Sequence, residues 1–119
     1  MKKLSQHFYD REFACRCGCG YKSIAPELVR LLEEARIYFD SPITVNSGCR
    51  CLAWNAKQGS KPSSQHVKGL AADIEVKGIS PEQVADYFIT DRSLLGGVGR
   101  YKSFTHVDVR GKKARWGKN

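Results

Sequence analysis

The longest apolar periodicity in this chain is helical, and proline closes it at both ends. Leu28, Leu31, Leu32, Ala35 and Phe39 recur at i, i+3, i+4, i+7 and i+11, with Glu33, Glu34 and Arg36 on the wet side. Pro26 suits the first turn of such a helix. Asp40-Ser41-Pro42 stops it, because the residue before a proline avoids the helical region. The remaining segments are shorter. Ile43-Thr44-Val45 reads as a strand ending at Asn46-Ser47-Gly48, and Cys51 to Gln58 as a short helix followed by a loop to His66. Leu70 to Val76 alternates as a strand, with Ala71, Asp73 and Glu75 on one face and Ala72, Ile74 and Val76 on the other. Ser80-Pro81-Glu82-Gln83 carries cap, first-turn proline and capping-box residue, so a second helix is predicted to run to about Asp91 with Val84, Tyr87 and Phe88 inward. Gly96-Gly97-Val98-Gly99 reads as permissive backbone, and Phe104 to Arg110 as a strand. Gly111-Lys112 reads as a hairpin turn into Lys113–Trp116. Residues 1–22, rich in Gly and Cys, read as an irregular arm. The fold class this implies is α+β, a small antiparallel sheet flanked by helices, with residues 1–119 forming a single domain.

Composition excludes several classes. With 41% hydrophobic residues in 119, the chain can bury a core and is not disordered as a whole. No apolar run approaches the roughly 18–20 residues that span a bilayer, so no integral membrane segment is expected. Lys2 and Lys3 are followed by no apolar stretch, so the start is not read as a secretory signal. The net charge is +8, and the stretch from Arg100 to Asn119 holds seven basic residues against one acid, Asp108. Such a stretch fits an anionic partner, whether nucleic acid, cell-wall polymer or membrane surface, and equally a solvated basic face. No nucleic-acid-binding motif accompanies it, and no nucleic-acid partner is expected.

Five cysteines fall in two clusters, Cys15, Cys17 and Cys19, then Cys49 and Cys51. The odd number means that disulfides alone cannot consume them. The Cys-x-Cys spacing is a weaker metal signal than Cys-x-x-Cys. Either the first cluster is tethered to the second, by disulfide or by a shared metal, or all five are reduced thiols in a reducing compartment. The tether is the working expectation.

Chemistry concentrates around two of the three histidines. His66 precedes Asp73 by seven residues, and the two converge if Gly69 lets the chain turn tightly, with small Ala71 leaving space beside the carboxylate. His106, from another strand, can complete three ligands, and three ligands plus water is the arrangement of a catalytic zinc. Spacing alone leaves open that His106 is a satisfied strand residue and Asp73 a turn or edge residue.

The motif Ser64-x-His66-x-x-Gly69-x-Ala71-x-Asp73, followed by His106-Val107-Asp108-Val109, resembles the zinc D-alanyl-D-alanine carboxypeptidase family. That family includes D,D-dipeptidases and phage-type peptidoglycan peptidases, and its fold is shared with the hedgehog signalling domain. Ser47-Gly48-Cys49-Arg50 with Asn55 is similar to its Ser-Gly-Tyr-Arg…Asn segment. Gly97–Tyr101, Arg110–Trp116 and the Cys-rich stretch from Phe13 to Gly20 resemble flanking segments of its small phage-type members. The resemblance implies a Zn²⁺ metallopeptidase with His66, Asp73 and His106 as ligands. Two imidazoles and one carboxylate leave Zn²⁺ a residual charge near +1, which acidifies its water. It further implies a D,D-carboxypeptidase or endopeptidase acting on peptidoglycan stem peptides, endolysin-like, and expected to be a monomer. Arg50, Ser64 and Asn55 match substrate-side positions. Arg50 can clamp a carboxylate or the reacting carbonyl oxygen. Ser64 is expected to orient the loop or Asp73, since no separate histidine remains to activate it as a nucleophile.

The chain departs from the family pattern where relatives carry an acid three residues before the last ligand. That position is Ser103, and Phe104 stands where others have a first histidine of His-x-His. Asp108, on the same strand face as His106, is the leading candidate to take the water proton or else to orient a ligand. Glu75 is a weaker candidate. The missing acid keeps an alternative in view, a catalytically inactive zinc-bearing cell-wall-binding domain. Cys49 replaces the usual Tyr beside Arg50. The resemblance also implies synthesis in the cytoplasm and action on the bacterial envelope after pore-mediated release, with the basic C-terminal stretch serving wall attachment.

Overall fold

Helix α1 (Pro26–Phe39) forms as the periodicity dictates, with Leu28, Leu31, Leu32 and Ala35 buried. It ends where Asp40 turns into the left-handed region, φ 49°, a conformation that Asp tolerates better than most residues. The structure is a computed structural model describing residues 2–91 and 93–117. Strand β1 (Ile43–Ser47) and helix α2 (Leu52–Lys57) follow, then β2 (Ala71–Val76) and α3 (Pro81–Thr90). Strands β3 (Gly97–Arg100), β4 (Thr105–Asp108) and β5 (Ala114–Gly117) complete the chain. In α3 the Ser80–Gln83 capping box closes as expected, each side chain accepting from the other residue's backbone N–H.

The five strands make one sheet in the order β1-β2-β4-β3-β5. Its alternation separates two functions. Ala72, Ile74 and Val76 of β2, Val98 of β3 and Val107 of β4 share one hydrophobic cluster with the apolar faces of α1 and α3. The intervening residues form a row on the opposite face, and the register makes that row continuous. Ser47 pairs with Asp73, Asp73 with His106, His106 with Gly99, and Gly99 with Trp116, from one edge of the sheet to the other. An irregularity between Val45 and Ser47 leaves Asn46 without a paired position and brings Ser47 opposite Asp73.

The structure corrects the reading of the C-terminal third. The sheet is mixed rather than wholly antiparallel, because β5 pairs in parallel with β3. Gly111-Lys112 therefore does not close a hairpin onto β4. Both edges of β4 are already occupied, by β2 and β3, so the returning chain joins the sheet at the free edge of β3. Gly96–Gly99, read as permissive backbone, contributes most of strand β3. Its glycines are there for room: a Cβ on Gly97 would lie 2.5 Å from Asp108 Oδ2, and one on Gly99 2.6 Å from the Trp116 ring.

The arm is irregular in path but not in packing. A bridge between Lys3 and Tyr9 and one 3-10 turn at Asp10–Glu12 are its regular features. Phe8 and Phe13, however, are fully buried in the core, with ring centroids 6.0 Å apart. Each contributes roughly 1.5–3 kcal/mol of apolar burial. Polar contacts at Phe13 and at Glu33 help hold the arm in place. The Phe13 carbonyl accepts from Cys49 N–H at 2.9 Å. Glu33 of α1 accepts from Ser5 Oγ and His7 N–H and contacts His7 Nδ1 at 2.5 Å.

Two measurements test this anchoring. A Cβ at Gly48 would lie 2.5 Å from Phe13 O and 2.6 Å from its Cα, both backbone atoms that cannot swing aside. Gly48→Ala is expected to cost ~1–3 kcal/mol by urea unfolding. Burial works to raise Glu33, but its bonds from Ser5 and His7 outweigh this and hold it below its ordinary 4.5. Its contribution is therefore present above about pH 4.5 and lost as pH falls through the lowered value. The stability gap between wild type and Glu33→Gln is expected to close on acidification and to persist at neutral pH.

Candidate metal centre

Three segments converge on the polar row of the sheet. Asp73 and His106 stand directly opposite each other on β2 and β4. His66 arrives from the loop after α2, which winds through successive turns from Lys61 to Leu70 and closes on Gly69, φ 73°. Gly69 packs against the Ser23 backbone, so the tight turn expected at this residue is also a close approach. His66, Asp73 and His106 are all buried.

Each imidazole is oriented by its outer nitrogen. His66 Nδ1 lies 2.6 Å from the Gly48 carbonyl, which accepts its proton. His106 Nε2 lies 2.7 Å from Asp108 Oδ2, which accepts likewise. The inner nitrogens, His66 Nε2 and His106 Nδ1, then face Asp73 Oδ1 at 3.2 and 3.0 Å. Three lone pairs aimed at one point repel unless a cation sits among them. Two imidazole nitrogens and a carboxylate oxygen, all within 4.8 Å of one another, suit a divalent cation of the Zn²⁺ type and leave a coordination position for water or substrate. With no cation at that point, a proton shared with Asp73 takes its place. Burial works to raise Asp73, but bonds to His106 and His66 hold it down at about 2. Burial works to lower His106, but Asp108 and Asp73 raise it.

Asp108 has no free lone pair. Its Oδ1 accepts from Gly97 N–H at 2.8 Å, Arg110 N–H at 3.1 Å and Arg110 Nε at 3.0 Å. Its Oδ2 accepts from His106 and from Arg110 Nη2, both at 2.7 Å. The Arg110 fork grips both oxygens of a wholly buried carboxylate. Burial opposes its ionisation, but these bonds keep Asp108 below the usual carboxylate range. Carboxylate, histidine and ligand point thus form the relay that orients and strengthens metal-binding imidazoles.

Arg50 sits beside the ligands, with Nη2 3.4 Å from Asp73 Oδ2 and Nη1 3.1 Å from Ser60 Oγ. Its Nε donates to Ser47 Oγ at 3.1 Å. Asn55 lies behind this wall, almost fully buried, accepting from Arg50 Nη1 and donating to the Lys61 carbonyl at 2.8 Å. Ser64 Oγ accepts from His66 N–H at 3.2 Å and lines the cleft. Ser103 and Glu75 stand away from it, both exposed, and Glu75 is held by Asn46 Nδ2.

The cleft over His66, Asp73 and His106 has a volume of about 730 Å³. Its aromatic wall was not assigned from sequence. Trp116 lies 4.9 Å from the His106 ring and donates to Tyr101 Oη at 2.9 Å, Tyr101 stacks on Phe104 at 4.4 Å, and Arg110 lies over Trp116. Alternation in β5 hints at Trp116, but its arrival beside His106 depends on the parallel pairing and on Gly99. Among the described lining residues, Arg50, Lys61, Lys68, Arg110 and Lys112 face a single acid, Asp73. Part of the C-terminal charge is consumed internally: Arg100 pairs with Asp86, Arg110 with Asp108, and Arg115 donates to the Gly96 carbonyl. Lys118 of that stretch lies outside the described residues.

Residues 6–108 match the family model described as Peptidase M15. None of the curated proteins compared with the chain matches it. If Asp108 orients His106, Asp108→Asn keeps full metal stoichiometry at saturation while lowering affinity roughly 10–100-fold. Competition with a chromophoric chelator reads this directly.

Proposed function

The chain belongs to the M15 peptidases, a family of metallopeptidases, and from that membership we propose that it is a zinc-dependent hydrolase of peptidoglycan stem peptides. The observation that carries the reading is the convergence of His66 Nε2, Asp73 Oδ1 and His106 Nδ1 at one buried point on the floor of an open cleft. When bound there, Zn²⁺ supplies Lewis acidity for the scissile carbonyl and lowers the pKa of water.

The protein's own groups do the rest. The Gly48 carbonyl and Asp108 hold the two imidazoles in the tautomers that offer their inner nitrogens. Of the two roles left to Asp108, this geometry supports positioning of His106, since both of its oxygens are already saturated. Arg50, held by Ser47, Ser60 and Asp73, presents its guanidinium beside the ligands, where it can bind a terminal carboxylate or the reacting carbonyl oxygen. Asn55 and Ser64 shape the loop that carries Ser60 and His66. The cationic rim favours a peptide bearing free carboxylates, and the wall of Trp116, Tyr101 and Phe104 offers flat apolar contact for its backbone and small side chains. These features support a stem-peptide substrate, cut either at a terminal D-alanine or within the cross-link. Envelope action after pore-mediated release, as a monomer, belongs to the same proposal.

One observation favours the second reading, a metal-bearing wall-binding domain without turnover: among the described lining residues the cleft holds no carboxylate besides the ligand Asp73. Digestion of purified peptidoglycan separates the two. Mass spectrometry of released fragments is expected to find free D-alanine or cleaved cross-links with the metal-loaded wild type and none with His66→Ala. Wall binding without any released fragment, in metal-loaded protein, would establish the second reading.

A further inference from the structure

The thiol arrangement in the arm is independent of the cleft and of the peptidase reading. Cys15, Cys17 and Cys19 come from one short loop, and Cys51 from the start of α2, yet their sulfurs lie within 4.8 Å of one another. Cys15 Sγ is 3.4 Å from Cys17 Sγ and 3.7 Å from Cys51 Sγ, and Cys17 and Cys51 are also 3.7 Å apart. All five cysteines are free thiols. A tetrahedral zinc with Zn–S bonds of about 2.3 Å has S···S edges of about 3.8 Å, so these separations fit one ion shared by four sulfurs.

The backbone around the group suits thiolates. Cys51 N–H donates to Cys15 Sγ and Trp54 N–H to Cys51 Sγ, each at 3.4 Å. The loop is closed by a 2.9 Å bond from Cys15 N–H to the Tyr21 carbonyl, and Gly18 and Gly20, at φ 85° and 88°, supply its tight turns. Burial opposes ionisation of Cys15, but bonds from the Cys51 and Cys17 N–H groups and the neighbouring thiols bring it to about 7. Cys17, bonded to the Cys19 sulfur and then to Cys15, is pushed up to about 12. Cys49 stands apart: its buried thiol donates to the Tyr21 carbonyl at 3.1 Å. The odd cysteine is thereby accounted for.

We propose that Cys15, Cys17, Cys19 and Cys51 form a structural four-thiolate site for Zn²⁺, separate from the His66–Asp73–His106 centre. It fastens the arm to the segment that immediately follows Arg50. Gly48, Cys49 and Arg50 lie between that fastening and β1, and this segment supplies the carbonyl that orients His66 and the N–H that binds the Phe13 carbonyl. The site therefore holds the substrate-side arginine and one ligand histidine in register with the sheet.

Metal analysis of the full chain, purified under reductant with zinc supplied, tests this. Two zinc ions per chain are expected in the wild type, one in the His66→Ala/His106→Ala variant and one in the Cys17→Ser/Cys19→Ser variant. Cobalt loaded into the histidine variant is expected to give intense thiolate-to-metal charge-transfer absorption. In the wild type, four thiols are expected to resist alkylation until a strong chelator is added. A histidine variant without metal or charge-transfer absorption overturns the proposal, as do wild-type thiols that alkylate at once or a disulfide joining any two of the four. If the wild type holds one ion and the histidine variant retains it, the thiolate site stands and the cleft's metal reading fails. If that single ion is lost with the histidines, the converse holds.

Discussion

The pairing of Asp73 with His106 is the constraint from which the rest of the site follows. It is a register relation between two antiparallel strands, and a slip of one strand by one residue would send Asp73 or His106 into the core and bring Ala72 or Val107 into the cleft. The hydrophobic cluster guards against that slip. Ala72, Ile74, Val76, Val98 and Val107 must all face α1 and α3 together, so the apolar side of the sheet locks the polar side in place. Core packing and ligand placement are two readings of one alternation.

Around that pair, charge is handled by saturation rather than by exposure. Asp108 carries its charge in full burial because His106, Arg110 and the Gly97 N–H occupy both oxygens. A buried carboxylate is costly unless such partners meet it. Removing a side chain at Gly97 is what permits the carboxylate to lie against the neighbouring strand at all. The basic C-terminal stretch is in this light partly an internal counterweight, through Arg110 and Arg115, and only partly a surface feature.

Local signals were legible in the sequence, and non-local ones were not. The α1 face, its proline stop and the Ser80 capping box are set within a few residues of themselves and appear where the pattern places them. The motif joining His66, Gly69 and Asp73 was readable because a turn and a strand alternation suffice to bring its ends together. The parallel return of β5 was not readable, since it depends on β4 being paired on both sides and β3 keeping a free edge. Phe8 and Phe13 were missed as core residues because a chain without periodicity advertises no face. The aromatic wall was missed because Tyr101, Phe104 and Trp116 meet only after three segments have taken their places, with Gly99 left bare to admit the indole.

The location of that indole gives the cleft two parts of unequal stiffness. The strands that carry Asp73 and His106, β2 and β4, are paired on both sides, whereas β5 is an outer strand held to the sheet along one flank. Outer strands open more readily than inner ones, since they have half the ladder to break. The Trp116 side of the cleft can thus yield while the floor of Asp73 and His106 stays fixed: a rigid anvil beside a compliant jaw.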